Sequence, residues 1–451
     1  MSTTTFLSEH LRTPVIHECD LCVIGGSCTG LFAAIRAARL GLKVAIIEQQ
    51  NCFGGVATSS LVSTWHSLLD TEYKRTIIGG LTPELVARMQ KRRVVRVVER
   101  SHAFGFIFNS EELKIDLDEI AREHGIKIWF HTKFTTPWLG ADGRLAGVVV
   151  ENKSGRGAIR ARFFIDASGD GDLASRLCLE TYYAGHSQPS TTCARLTGWL
   201  TRSGDFRQAI REKARKFNIP EGFGWGAVIP GSDVFMMAAT RVLGLNPADA
   251  DGLTASEMEG RRQIRALMDI FNEVSPGNHL SLQALPSHIG VRESRHVRCL
   301  HQLTGEEVLH GRRFEDAIAN GSYRTDIHHQ DKPGNTFRFL DGREVYERPG
   351  YPHQEGRWRP ETTENPVFYQ IPYRCLVPRG PHENLLVAGR MIDADSMAFG
   401  AIRVMVNLNQ TGEAAGVAAW LALNSGRAAA AIDTARLRAT LAEGGSVIIP
   451  D

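Results

Sequence analysis

Residues Cys19–Glu48 read CDLCVIGGSCTGLFAAIRAARLGLKVAIIE, and this stretch decides the fold. Cys19–Ile24 is a short apolar run, and Gly25-Gly26-Ser27-Cys28-Thr29-Gly30 is a glycine turn. Leu31–Leu40 then carries Ala and Leu at helical spacing, with a stop at Gly41. Lys43–Glu48 is a second apolar run ending in an acid. Strand, turn, helix, strand in that order predicts a parallel βαβ unit. Gly25 lets the chain turn sharply out of the strand, and Gly30 lets helix and strand approach each other. The helix start offers free N–H groups and its positive dipole end to a pyrophosphate. Glu48, 18 residues after Gly30, stands where a carboxylate can accept hydrogen bonds from ribose hydroxyls. Ser27 holds the middle position usually given to glycine, and its hydroxyl could itself bond a phosphate. The turn alone leaves NAD, FAD and a purely structural crossover open.

Outward from this unit, composition sets bounds. A chain of 451 residues allows two or three domains of roughly 150 residues. With 43% hydrophobic and 23% charged residues it has globular composition, which excludes a disordered chain, a collagen-like fibre and a small disulfide scaffold. Fifty-two basic against 50 acidic residues leave a net charge of +2, so no global field argues for nucleic acid or an anionic membrane. No apolar run reaches the roughly 18 residues of a membrane span. The opening MSTTTFLSEHLRTPVIHECD lacks the basic and apolar regions of a secretory leader. Eight sparse cysteines fit a reducing compartment, so a cytoplasmic protein is expected. Cys19 and Cys22 form C-x-x-C, but a three-residue offset on a strand points them to opposite faces, so neither a zinc site nor a dithiol is expected.

Further segments extend the pattern. A second Gly-Gly, in Gln49-Gln50-Asn51-Cys52-Phe53-Gly54-Gly55-Val56-Ala57-Thr58-Ser59, suits backbone passing tightly beneath a long cofactor. Lys127–Val150 and Ala158–Asp166 read as an antiparallel meander broken at Asp142-Gly143 and Ser154-Gly155. The meander leads into Ile165-Asp166-Ala167-Ser168-Gly169-Asp170-Gly171-Asp172. Towards the end come Leu385-Leu386-Val387-Ala388-Gly389-Arg390, then Gly400-Ala401-Ile402-Arg403-Val404, then Gly412-Glu413-Ala414-Ala415-Gly416.

Taken in this order, GGSCTG, FGGVATSS, IDASGDGDLA, IGVRESR, RRFEDAIANGSYRTDIH, IPYRCLVP and LLVAGR…GAIRV…GEAAG resemble the FAD-dependent oxidoreductases of the glutathione-reductase-like, two-dinucleotide-fold superfamily. Within it the chain looks most like bacterial members sometimes labelled xanthan lyase-like, from about Asp20 to about Gly444. The resemblance implies a Rossmann-like α/β FAD-binding domain in a three-layer ββα arrangement, a parallel sheet plus antiparallel β-meander, with an inserted α+β substrate domain. The parts would be 1–190 (meander about 127–166), 191–378 for the substrate domain, and 379–451. FAD would lie along Gly25, Gly26, Ser27, Cys28, Thr29 and Gly30, with Glu48 and Gln49 at the ribose. Gly54, Gly55, Val56, Ala57 and Thr58 would run beside the pyrophosphate and flavin, with Lys133 and Phe134 bordering the adenine. Ala167, Ser168, Gly169 and Asp170 would close over the cofactor. Gly389, Arg390, Gly400, Ala401, Arg403 and Val404 would sit against the ribityl chain and isoalloxazine, where a helix start stabilises anionic reduced flavin. The chain departs from the family pattern at Cys299, at His301 and at Met391–Ser396, where Asp393 and Asp395 would place negative charge near the flavin.

The middle lacks βαβ alternation. Thr254-Ala255-Ser256-Glu257 predicts a capped helix running to Val274, Asp341-Gly342 a hairpin, and Asp331–Pro366 a mobile loop or lid. Candidate catalytic groups are Arg292, Glu293 and Arg295, which could clamp a carboxylate or form a structural pair, and His66 and His328, the latter beside Asp326. No metal set is read. The basic run Arg88–Arg96 reads as a solvated face, with an RNA contact as the weaker alternative. The expected activity is hydride transfer between FAD and a small hydroxylated or carboxylated substrate, with no nucleic-acid or membrane partner and an unassigned electron acceptor. The alternatives are a redox-neutral flavoprotein (isomerase or hydratase) and a non-catalytic or RNA-modification-related FAD-binding protein.

Overall fold

The computed structural model describes residues 7–450 except 102–103, 186, 201–204, 222–223, 276 and 278. Residues 1–6 of the opening segment lie outside the described residues. Strand β1 (Val15–Ile24), helix α1 (Cys28–Arg39) and strand β2 (Val44–Ile47) form the expected crossover, with Leu21 opposite Val44 and Ile24 opposite Ile47 in parallel register. Both faces of this sheet are covered, which is why β1 ends in an unbroken apolar run rather than an alternating one.

The sheet continues through β3 (Lys127–Trp129), β4 (Lys133–Leu139), β5 (Leu145–Asn152) and β6 (Gly155–Asp166), in the order β3-β2-β1-β6-β5-β4. Strands β4, β5 and β6 are the antiparallel meander. Lys127–Trp129, read from sequence as its start, instead runs parallel to β2. It follows the helix Ser110–Glu123, and a strand reached through a crossover helix returns parallel. The late strand Leu385–Val387 pairs in parallel with Phe164–Asp166, the end of β6. The chain is therefore a mixed α/β protein built on a Rossmann-like parallel sheet.

Helix Met405–Ser425 lies backbone to backbone on α1. A Cβ added at Gly412 would stand 2.0 Å from the Thr29 carbonyl oxygen, and one at Gly416 2.2 Å from that of Ala33. The glycine ending of the sequence thus brings the start of this helix beside the phosphate-type turn.

A second core surrounds an antiparallel sheet ordered Trp225–Val228, Phe235–Ala238, Cys193–Thr197, Ser281–Ala284, where Leu196, Met237, Leu267 and Phe271 pack. The helix over it spans Ala250–Val274, starting four residues before the expected Thr254. Asp249 caps it by accepting from the Gly252 N–H (2.7 Å), while Thr254 Oγ1 donates back to the Ala250 carbonyl. Within Asp331–Pro366, expected as a mobile loop or lid, the strands Asn335–Arg338, Arg343–Glu347 and Gln354–Arg357 join Thr325–His328 in an antiparallel sheet, with turns and irregular chain between and after them. The hairpin does turn at Asp341-Gly342, with Gly342 at φ +89°. In the basic run, Arg88 bonds Glu123 and Arg92 bonds Glu119, so part of its charge is neutralised. No helix among the described residues is long and apolar enough to cross a membrane.

Candidate functional site

A cavity of about 520 Å³ runs between the crossover turn and the two antiparallel sheets. On the dinucleotide side it is lined by Gly25, Ser27, Cys28, Thr29, Glu48 and Gln49, and by Gly54, Gly55 and Val56. Ser27 caps α1, its Oγ accepting from the Gly30 N–H at 3.4 Å. Gly26 and Gln50 donate N–H groups to the two Glu48 oxygens at 2.6 and 2.7 Å. A carboxylate accepts about four hydrogen bonds, so Glu48 keeps capacity for two more. Burial raises the Glu48 pKa and the N–H donors oppose it.

The glycines hold the turn closed around this space. At Gly25 (φ +98°) a Cβ would meet the Ala167 carbonyl oxygen at 2.4 Å, and at Gly30 it would meet the Gly25 oxygen at 2.0 Å. Gly26 and Gly30 do not line the cavity; they shape it. The second Gly-Gly lies against the turn, with Gly54 donating to the Gly26 carbonyl at 2.9 Å. Ala57 and Thr58 brace that loop from outside the cavity, through Ser110 Oγ to the Ala57 carbonyl and Thr58 Oγ1 to the Phe53 carbonyl. Burial pushes the Cys28 thiol up to about 12, so it is no thiolate nucleophile.

Ala167, Ser168, Gly169 and Asp170 line the cavity together with Gly389, Arg390, Arg403 and Val404. Asp170 ties two segments: Arg390 Nη2 donates to it at 2.6 Å and Ser294 Oγ at 2.5 Å. Val404 is the N-cap of helix Met405–Ser425, so that helix begins at the cavity wall. Gly400 and Ala401 lie outside the lining and act at a distance. Gly400 lets the helix Ser396–Ile402 approach Asp326, and the Ala401 carbonyl accepts from Tyr369 and Asn407. Lys133 and Phe134 open β4 and do not line the cavity. Asp393 and Asp395, expected near the flavin, are occupied elsewhere: Asp393 accepts from Tyr182 and the Cys299 N–H, while Asp395 caps Ser396–Ile402.

The opposite lining is a buried polar cluster on Asp326. Its Oδ2 accepts from Arg403 Nη2 at 2.8 Å and from Tyr323 Oη at 2.9 Å, and Oδ1 lies 3.3 Å from His328 Nε2. Burial opposes charge on this carboxyl, yet the guanidiniums of Arg403 and Arg324 hold it well below its ordinary range. Burial drives His328 down to about 3 against the pull of Asp326, so it is neutral at neutral pH. His66 falls to about 3 for the same reason, and its ring stands edge-on to Tyr323 with centroids 4.3 Å apart. Arg292 faces the same space, and its Nη1 donates to the Pro189 carbonyl and to Thr191 Oγ1. Burial lowers its guanidinium to about 9. Glu293 and Arg295 do not reach the cavity. Glu293 accepts from the Gln188 N–H at 2.7 Å and lies 3.2 Å from His296, and Arg295 bonds the Asp170 carbonyl.

Sequence reasoning did not single out Tyr323, Arg324 or Asn335, all of which line the cavity. The signal was there: Arg324, Asp326 and His328 recur at a spacing of two, the period of one face of a strand. His66 Nδ1, Arg324 Nε, Arg390 Nε, Arg403 Nε, Asp326 Oδ1 and both polar atoms of Asn335 are buried without a protein hydrogen-bond partner among the described residues. So many orphaned groups around one cavity, beside a glycine turn that no Cβ can occupy, fit a long polar ligand such as FAD. Among the described residues no group of three or more His, Cys, Asp or Glu is placed to hold a metal.

The family model for FAD dependent oxidoreductases matches residues 20–441, and the chain belongs to that family. FAD is accordingly its cofactor. Among curated relatives, the dihydrolipoyl dehydrogenase of Rhizobium etli is 28% identical over 167 residues, covering 33% of this chain and 32% of that one. The mitochondrial dihydrolipoyl dehydrogenase of Schizosaccharomyces pombe is 29% identical over 108 residues, covering 22% and 21%. The chain thus spans about a third or less of the length of the curated relatives it matches. Among solved structures, a geranylgeranyl bacteriochlorophyll reductase-like protein from Thermoplasma acidophilum aligns at 13% identity and a TM-score of 0.46, covering 91% of this chain and 80% of that one.

Proposed function

We propose that this chain exchanges a hydride between FAD and a small organic substrate bearing an acidic group. The single observation that carries this reading is the Arg292–Asp326–His328–Arg403 cluster, which lines the same cavity as Ser27 and Glu48. Ser27, Glu48, Gly54 and Gly55, with the start of helix Met405–Ser425, would hold the cofactor. FAD, when bound, supplies the site where two electrons enter or leave as a hydride. Arg292 would bind and orient the substrate's acid group, because a guanidinium suits planar, bidentate recognition of carboxylate. Asp326 fixes Tyr323 and Arg403, and its charge stabilises a proton received by His328 from a substrate hydroxyl. Residues 191–378 would cover the reacting atoms and exclude water; their first part has its own core around Leu196, Met237 and Phe271, while Val297, Phe314 and Ile371 pack into the core of the dinucleotide-binding layer.

Anaerobic mixing of the purified holoprotein with hydroxy acids and sugar acids tests this reading. At least one such acid should bleach the flavin absorbance, and Arg292→Ala should abolish that bleaching. Reduction kinetics unchanged in Arg292→Ala would reject the assignment.

A further inference from the structure

One face of the antiparallel sheet in the second core borders the cavity. In register, Trp225 stands opposite Ala238 and Ala238 opposite Cys193, so three neighbouring strands set these side chains in one row on one face. All three line the cavity. The alternate residues Ala194, Leu196 and Met237 turn the other way, into the core with Leu267 and Phe271 of the helix Ala250–Val274. The row is therefore the cavity side of the sheet, across from the helix.

Along the row the side chains are large, then small, then small. Trp225 is half-buried, and Phe104, which lines the same cavity, leans on it with ring centroids 5.3 Å apart and planes at 44°. Beside this aromatic pair Ala238 and Cys193 rise little above the sheet, and neighbouring strands stand about 4.8 Å apart, so the two leave an apolar bay one ring wide. Burial pushes the Cys193 thiol up to about 12, so the floor of the bay carries no charge. Arg292 donates to Thr191 Oγ1, on the chain just before Cys193, which sets the bay beside the polar cluster. A planar ring laid there gains stacking on Trp225 and Phe104 beyond the area it buries, and an alkyl chain does not.

We infer that the molecule acted on carries an aromatic ring, seated on Ala238 and Cys193 against Trp225, so that the substrate is a small aryl compound. This deepens the proposed function and rests on it for the reaction but not for the binding. A single methylene in an apolar pocket already changes discrimination by about tenfold, so a ring in place of a methyl group should be worth at least that much.

The test is equilibrium titration of the oxidised holoprotein, read by perturbation of the flavin spectrum and by calorimetry. The probes are matched pairs in which phenyl replaces methyl: mandelate against lactate, 3-phenyllactate against 2-hydroxybutyrate, and benzyl alcohol against ethanol. The last pair carries no acid, so it reads the ring alone. In at least one pair the aryl member should bind about tenfold or more tightly. Trp225→Ala removes the stacking wall and Ala238→Leu fills the bay, and each should bring that ratio to within about twofold of one, while Trp225→Phe keeps most of it. Ratios near one in all three pairs, or a preference that survives either Trp225→Ala or Ala238→Leu in folded protein, overturn the inference. So does a loss of FAD content in folded Trp225→Ala, because the row would then face the cofactor. Should Ala238→Leu not fold, the contrast between Trp225→Ala and Trp225→Phe decides. Aryl preference in binding with no bleaching by any of these compounds would uphold the ring site and reject hydride transfer. Bleaching by the alkyl members with no aryl preference would do the reverse.

Discussion

Arg403 Nη2 lies 2.8 Å from Asp326 Oδ2, a bond that ties the start of helix Met405–Ser425 to the strand Thr325–His328. The helix belongs to the layer packed on α1, and the strand to the sheet beyond the cavity. This ion pair joins the two sides of the cavity, beside the packing of Gly400 on Thr325 and Ile327.

Asp326→Asn removes the charge but keeps the shape, leaving Arg403 and its neighbours without their shared anion. Breaking a buried pair from one side costs about 3–5 kcal/mol. Denaturant unfolding of the holoprotein should show a loss of that order. Substrate-dependent flavin reduction should fall by about a hundredfold or more, the lower end of what a positioned general acid–base contributes. Wild-type stability in the variant would show that the pair does not organise the site.

His66 sits near 3 in the folded protein against an ordinary 6.5. Between these values the unfolded chain binds a proton that the folded one refuses, so stability rises with pH across that window and falls on acidification. His66→Phe keeps a ring against Tyr323 and removes the proton. Relative to wild type it should flatten the stability profile between pH 6 and 4 by on the order of 1.4 kcal/mol per pH unit. Parallel profiles would contradict a buried neutral imidazole.

Glu413 behaves in the opposite sense. Burial pushes its carboxyl up to about 7, although Oε1 accepts the Leu81 N–H at 3.1 Å and Arg36 lies 3.7 Å from Oε2. The folded state holds the proton that the unfolded state releases above an ordinary 4.5, so this group favours folding at low pH and loses that contribution as pH rises to about 7. Glu413→Gln keeps an acceptor for Leu81 and cannot titrate. Its stability relative to wild type should improve from pH 5 to pH 7, by at most about 1.4 kcal/mol per unit. A pH-independent difference would contradict this.

Two glycine substitutions separate packing from backbone freedom. Gly30→Ala drives a methyl into the Gly25 carbonyl and should cost about 3 kcal/mol together with FAD retention. Gly356→Ala, in an exposed strand with nothing within 4 Å of the added carbon, should change stability by less than about 0.5 kcal/mol. Thermal melts and flavin content read both, and equal effects would mean that the turn tolerates a side chain.

The parallel crossover was legible because local signals agreed: an apolar run, a turn of small residues, an Ala-rich helix and a second run within thirty residues. The cluster on Asp326 was only half legible. Asp326 and His328 stood out as polar residues, but Arg403 arrives from 77 positions away, and no local pattern records that pairing. Glu293 and Arg295 looked like a clamp because charged neighbours cluster in sequence. Only Arg292 of that group faces the cavity: Glu293 turns to the Gln188 N–H and His296, and Arg295, the first residue of strand Arg295–Val297, to the Asp170 carbonyl. Asp331–Pro366 read as a loop because it is rich in Pro, Gly and charge, while its strands are short and, of the three, only Asn335–Arg338 buries alternate residues. The early start of helix Ala250–Val274 was missed because Asp249 caps as well as Thr254 would, and Thr254 is equally content inside the first turns.

The cavity beside Gly25–Gly30 is proposed to hold FAD. The direct measurement is the flavin released on denaturing the purified protein, identified by chromatography and quantified per chain, after incubation with FAD and removal of excess. We expect one FAD per chain in the wild type and a markedly lower content in Glu48→Ala. Protein that carries no flavin and takes none up when supplied, or a Glu48→Ala variant with full content, would contradict the account.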